Sequence, residues 1–324
     1  MAAGWFETAG ETFVLHTETA ARIDLVRLGV GAQAAPLTGA VPIPTVSVDL
    51  QASKAEFSTA ALGIVSRDCW SDGTRTVLAN ACGSGFDLQL EVSDDLLAVT
   101  ARYRPSMAVR CLNTVARQRF SLLAGQTLVH YPALWRAGWR GRVPLHAGLL
   151  AASDGVPLLV GPSGVGKSTV IAGTIASGAS IASDNLCCGD GVDCFGVAEP
   201  MRLSRSTAGN ANTSRGRSAV TITNRVSALE PDRVVMLTRG EHTLIETVKP
   251  DEAARAFVAG TYSAGELRRY WQFAATLALA TGRGPAHPPV YEIAARYTDR
   301  LPCVGVQVGD GERINVAQLC GGVP

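Results

Sequence analysis

The sequence predicts an α/β protein: a phosphate-loop domain over residues 141–324, preceded by a β-rich α+β region over residues 1–140. Three observations lead there. A complete G-x-x-x-x-G-K-[ST] pattern at residues 161–168 lies between an apolar strand-like run and a helix-like run. Short alternating apolar runs, punctuated by Gly, Pro and Ser, fill the first hundred residues. Near Arg142 the texture changes and longer apolar runs begin.

Taken in chain order, the clearest early element is a hairpin: FDLQLEV, the turn SDD, then LLAVTARY, over residues 86–103. From Met107 to Trp139 apolar positions recur at helical spacing. VPLHAGLLAA and GVPLLVG, broken by the turn composition SDG, predict a second hairpin that runs into the glycine loop. KSTVIAGTIAS then reads as a helix closed by Gly178, and ASIAS as a short strand ending in Ser183, Asp184 and Asn185. RVVML at residues 233–237 is a further strand, and EIAARYTDR near residues 292–300 a helix with a solvated face. No repeat, low-complexity tract or long linker separates the halves, so they can pack as one unit.

Composition excludes several partner classes. Twenty-nine basic residues against 28 acidic ones leave a formal charge of +1, too little to recruit nucleic acid or an anionic membrane. No apolar run approaches the roughly 18 residues of a membrane span, and the start MAAGWFETAG lacks signal-peptide character, so a cytoplasmic location is expected. The eight cysteines form no C-x-x-C pair, and buried reduced thiols are expected, Cys187, Cys188 and Cys194 included. The Trp135 and Trp139 pair, with Trp271, reads as packing rather than a nucleobase shelf.

The loop predicts chemistry. Glycines let backbone N–H groups approach phosphate oxygens with no Cβ in the way, and the following helix directs its positive end at them. Gly161, Pro162, Ser163, Gly164, Val165, Gly166, Lys167, Ser168 and Thr169 are therefore the expected nucleotide-binding set. Lys167 would reach the β- and γ-phosphates of ATP, and the Ser168 hydroxyl would ligate Mg²⁺. Many ATPases place a metal-binding acid at the end of a second strand, but RVVML ends in Thr238 and Arg239. The acid comes instead at Asp184, seventeen residues after Lys167, where a strand–loop–helix–strand unit returns it to the loop. It could accept a hydroxyl proton, orient the hydroxyl or bind the metal.

PLHAGLLA, GPSGVGKST and SIASDN, in this order and spacing, resemble the kinase domain of HPr kinase/phosphorylase and its small bacterial relatives, among them serine kinases of lasso-peptide precursors. EPMRLS, VKPDEAARAFVAGTY and RLPCVGVQV are also similar to the small relatives. The resemblance covers residues 140–324 and not the first 140. It implies a P-loop kinase domain of the HPr kinase/PEP-carboxykinase-like type, with Lys167 and Ser168 on phosphate and Mg²⁺ and Asp184 as the catalytic carboxylate. His146 matches a histidine near the phosphate site, and two readings stand for it: a group facing the γ-phosphate, or a satisfied core histidine. The family's second aspartate is Asn185 here, which can offer Mg²⁺ only a carbonyl; Glu199 is the nearest later acid that could serve. HPr kinases assemble as hexamers, so a homo-oligomer stays open.

Residues 200–229 carry Arg202, Arg205, Arg215, Arg217 and Arg225 and no carboxylate. The polar middle has a loop composition, and Arg215 and Arg217 are the candidates for contacting phosphate or an acidic substrate. This stretch departs from the arginine-containing signature of HPr kinases, which leaves the reverse, phosphorolytic reaction open. Three functions follow: phosphoryl transfer from ATP to Ser or Thr of a peptide or small protein, such as a natural-product precursor; transfer to a small-molecule alcohol; or nucleotide binding by a regulator that transfers nothing.

Overall fold

The structure, a computed structural model, describes residues 2–18, 26, 29–31, 35–36, 43–175, 177–204, 217–220, 222 and 224–309. The first strands are β1 (Ala2–Thr8), β2 (Glu11–Thr17), β3 (Ala35–Pro36), β4 (Val46–Gln51), β5 (Gly63–Ser66), β6 (Cys69–Ser71), β7 (Arg75–Leu78), β8 (Phe86–Val92) and β9 (Leu97–Tyr103). They form one nine-stranded sheet in the order β3-β1-β2-β4-β9-β8-β7-β6-β5. Its inner face follows from period-2 patterning: β4 alternates buried and half-buried residues along VSVDLQ. The expected 86–103 hairpin is present as the antiparallel pair β8–β9, and Ser93 N–H closes its turn on Leu96 O at 3.0 Å.

The helical spacing of residues 107–139 is realised as α1 (Met107–Val115), α2 (Arg117–Gly125), a π-type turn at Gln126–His130 and α3 (Tyr131–Gly138). Ser106 caps α1 by accepting from Val109 N–H.

The remaining strands are β10 (Val143–Leu145), β11 (Ala147–Ala151), β12 (Pro157–Val160), β13 (Ser180–Ser183), β14 (Cys187–Gly189), β15 (Cys194–Gly196), β16 (Met201–Ser204), β17 (Arg217–Val220), β18 (Ala228–Leu229), β19 (Arg233–Gly240), β20 (Leu244–Thr247) and β21 (Cys303–Gly309). The helices among them are α4 (Lys167–Ile175), α5 (Pro250–Ser263), α6 (Arg268–Thr281) and α7 (Val290–Arg300). A six-stranded mixed sheet runs β13-β11-β12-β19-β21-β20, with β12, β19 and β21 parallel. Its neighbours in sequence point to opposite cores: Leu158 and Val234 enter one cluster, Leu159 and Val235 the other. Burial on both faces explains why these strands read as continuous apolar runs. The molecule is mixed α/β, and no described helix is long and apolar enough to cross a membrane.

The two parts share a core. Tyr270, Phe273, Ala274 and Leu277 of α6 pack in the cluster that fills the nine-stranded sheet, although α6 lies deep in the second half of the chain. The β1–β2 turn locks them further: Ala9 N–H donates to Gly196 O at 2.9 Å, and Ala198 N–H to Thr8 Oγ1 at 3.0 Å. Glu11, fully buried, meets Arg142 at 3.4 Å, whose guanidinium also lies 3.9 Å over the Phe195 ring. Cys187, Cys188 and Cys194 are buried thiols, as expected, with Cys187 and Cys194 sulfurs 3.3 Å apart. Trp135 is likewise core, packed edge-on against Trp139.

Candidate active site

The glycine loop leaves the end of β12 and enters α4, the strand–loop–helix context expected from sequence. Gly161 has φ 140°, and a Cβ there would lie 2.5 Å from Leu237 O on the neighbouring strand, so only glycine fits. Gly164 and Gly166 also have positive φ. Val165, 4% exposed, anchors the loop in the core, while Pro162, Ser163 and Gly164 stay exposed at its crown. Thr169 faces solvent on the first turn.

Lys167 curls back across the loop and donates to Gly161 O at 2.7 Å and Pro162 O at 3.2 Å. Burial lowers its pKa to about 8, opposed by the nearby Asp184 charge. The ammonium is held where an incoming phosphate could exchange for those carbonyls.

Asp184 follows β13, which lies one strand beyond β11 from the loop strand, so its carboxylate returns to the loop's end of the sheet. Ser183 fixes the turn: its hydroxyl lies 2.9 Å from both Ala147 O and Leu186 O and accepts from Asn185 N–H at 3.2 Å. Asp184 is 3% exposed, lines a cleft with Ser168, and its Oδ1 has no partner. Burial raises its pKa, partly offset by the Ser168 hydroxyl and by the charges of Arg225 and Arg202. An orphaned carboxylate oxygen in a buried site is costly unless something binds it.

Glu199, 2% exposed, shares the same cleft and also carries an orphaned oxygen, Oε1. Burial first, then the Asp184 charge, pushes its pKa up to about 8. Around these acids stand two arginines. Arg202 reaches Glu199 at 3.8 Å and Glu266 at 3.5 Å, and Arg225 donates to Val197 O at 3.0 Å and Glu199 O at 2.6 Å. The cleft lined by Ser163, Ser168, Asp184, Glu199, Arg202 and Glu266 encloses about 30 Å³, the room of a single water or ion.

His146 sits between β10 and β11, where the chain passes from one sheet to another. Its backbone N–H donates to Thr261 Oγ1, and its ring contacts Gly260 O through Nδ1 at 3.1 Å and the Asn185 amide through Nε2 at 3.0 Å. Burial lowers its pKa to about 4, so the ring is neutral and donates once. Gly260 O can only accept, and so can the Asn185 Oδ1 that faces Nε2, so a neutral ring donates to one of the two. On its other side Asn185 Nδ2 donates to Glu199 Oε2 at 3.5 Å. A chain Glu199–Asn185–His146 results, with Asn185 as its middle member. His146 is thus a hydrogen-bonded core histidine one residue removed from the acids.

The structure brings Lys167, Ser168, Asp184, Asn185, Glu199 and His146 together. Arg215 lies outside the described residues; the backbone of Arg217 is in β17, and its side chain lies outside them too. Arg202, Arg225 and Glu266 were missed by sequence reasoning. The acid-free arginine run contained the first two, but only the path of β16 and residues 197–199 selects them; Glu266, in the α5–α6 connection, had no motif around it.

Mg²⁺ fits this donor set. Among the described residues no group of three or more acidic, His or Cys side chains is arranged around a metal, but Mg²⁺ beside a polyphosphate needs only one or two protein ligands. Ser168 with the orphaned oxygen of Asp184 or Glu199 would supply them, and a bound cation would satisfy those oxygens. No family model matches this chain, and no curated protein matches it.

Proposed function

We propose that the protein transfers the γ-phosphoryl group of ATP to a hydroxyl, with Ser or Thr of a peptide or small protein as acceptor. The observation that carries this reading is the buried Asp184 carboxylate, in one cleft with Ser168 beside the phosphate loop and with one oxygen unsatisfied. Loop amides and Lys167 hold the phosphates; the cation, when bound, neutralises charge between them. The free oxygen of Asp184 orients an acceptor hydroxyl, and its raised pKa suits it to take that proton as the oxygen attacks. Arg202 and Arg225 keep two adjacent carboxylates tolerable.

The test is incubation with Mg-ATP and short precursor peptides encoded beside this protein, followed by mass spectrometry for phosphate addition, with Asp184→Asn in parallel. Phosphate on a hydroxyl residue that depends on Asp184 supports the reading. ATP bound without ADP or phosphoproduct sinks it in favour of a second reading, binding without transfer, which Asn185 favours because its amide is engaged with His146 and brings no charge to a metal.

A further inference from the structure

We infer that Arg239 is a nucleotide-binding residue that grips the phosphate chain from the flank of the loop opposite Asp184; the inference rests on the phosphate loop being a nucleotide site. By sequence this position stood out only because it lacked the acid that many ATPases place there. The structure puts a cation in its stead. β19 runs parallel to the loop strand with Val160 opposite Met236, carrying residues 237–239 past the point where the loop departs. Gly161 abuts Leu237 O, and a Cβ at Gly166 would stand 3.0 Å from Arg239 Nη2. The guanidinium therefore lies against the last glycine before Lys167, and any larger residue at 166 would displace it.

Three further features point to an anionic ligand. Arg239 is exposed, and among the described residues it has no hydrogen-bond or ion-pair partner. The other cations near the loop are occupied: Lys167 by loop carbonyls, Arg202 by Glu199 and Glu266, Arg225 by backbone carbonyls. Charge is also lopsided. In the order β13-β11-β12-β19, Asp184 stands on one side of the loop and Arg239 on the other. A polyphosphate is repelled by the acidic flank wherever no cation intervenes and attracted to the arginine flank. The planar fork of Arg matches two phosphate oxygens, which a lysine does only as a point charge.

The test is titration of wild type, Arg239→Ala and Arg239→Lys with a fluorescent N-methylanthraniloyl ATP and Mg²⁺, with thermal unfolding in the presence and absence of inorganic tripolyphosphate. Arg239→Ala is expected to weaken the nucleotide roughly tenfold or more and to lose much of the tripolyphosphate-induced rise in Tm, with Arg239→Lys recovering part of both. The unliganded Tm should stay at the wild-type value, because the side chain is exposed. Wild-type affinity in Arg239→Ala overturns the inference, as does a weakened affinity matched by a lower unliganded Tm, which would make Arg239 a prop for the loop. If wild type and a Lys167→Ala control alike bind no nucleotide, the loop reading itself fails and takes this one with it.

Discussion

Ser168 and the Asp184 carboxylate line the same cleft, and Asp184 Oδ1 has no partner although the residue is 3% exposed. Such a group is maintained at the expense of stability. Asp184→Asn is therefore expected to lower the rate of phosphoryl transfer at least about a hundredfold in protein that still binds nucleotide. The same substitution should raise Tm once pH exceeds the raised native pKa, because the native carboxylate must then ionise in a buried setting. ADP release and calorimetry check the two halves; an Asn variant with undiminished transfer would remove Asp184 from the chemistry.

Nucleotide affinity should depend on pH through Lys167. In the free protein its ammonium loses a proton near the lowered value of about 8, so the attraction for phosphate fades as pH rises through that value. Fluorescent nucleotide binding is expected to weaken between about pH 7 and 9, and Lys167→Arg, which keeps its charge, should flatten the profile even if its affinity is lower. A wild-type profile as flat as that of the Arg variant would mean the lysine charge is not what the phosphate meets.

Much of the loop half was legible because its signals are local. Pro157–Val160, the glycines and the helix from Lys167 are contiguous, and Gly178 with Ser180–Ser183 returns the chain within a few residues, so spacing alone placed Asp184 beside the loop. The 86–103 hairpin was readable for the same reason. What escaped was non-local. Nothing in the run RRYWQFAATLALAT says that it completes the core of a sheet made from residues 2–103, because an amphipathic helix does not name the surface it covers. Glu266 and Arg239 escaped similarly: one lies in a connection and the other ends a strand, and only the packing of β12 on β19 and of residue 266 on the cleft gives them a neighbour. His146 was open between two readings, and the contacts at Gly260, Thr261 and Asn185 that hold it come from two distant segments.

Glu11 and Arg142 join the β1–β2 turn to the second half of the chain, with Glu11 wholly buried and Arg142 largely so. Without Arg142 the buried Glu11 carboxylate keeps only the more distant and more exposed Arg140, at 3.8 Å. Arg142→Ala should destabilise the protein by about 3 kcal/mol or more, since it loses the pair, the contacts with Ala9 and Gly10 carbonyls and the stacking on Phe195. The double variant Glu11→Gln with Arg142→Ala should recover part of that loss because the stranded carboxylate is gone. Urea unfolding of the two variants decides the matter: a double variant no more stable than Arg142→Ala would show that packing, not the buried charge, sets the cost.

His130 gives a stability switch on the acid side. It lies in the π-type turn, 3% exposed, with Nε2 2.8 Å from Ala198 O, next to Glu199. Burial, with the charges of Arg202 and Arg225 adding to it and those of Glu266 and the Ala198 carbonyl opposing, lowers its pKa to about 4 against 6.5 for a free ring. Between those values the unfolded chain binds a proton that the native ring refuses, so stability falls as pH drops through that window, by up to roughly 3 kcal/mol in full. His146 contributes in the same direction, while the raised carboxylates Asp184 and Glu199 act oppositely, and the net curve of wild type would mix all four. His130→Gln isolates the contribution of this ring, because the amide can still donate to Ala198 O but does not titrate. Relative to wild type, the Gln variant should gain roughly 2 kcal/mol on going from about pH 7.5 to about pH 5, read as the difference between their urea midpoints at each pH. A constant difference would show that the native ring protonates as readily as the unfolded one, and that the segment 197–199 moves away from His130 to let it.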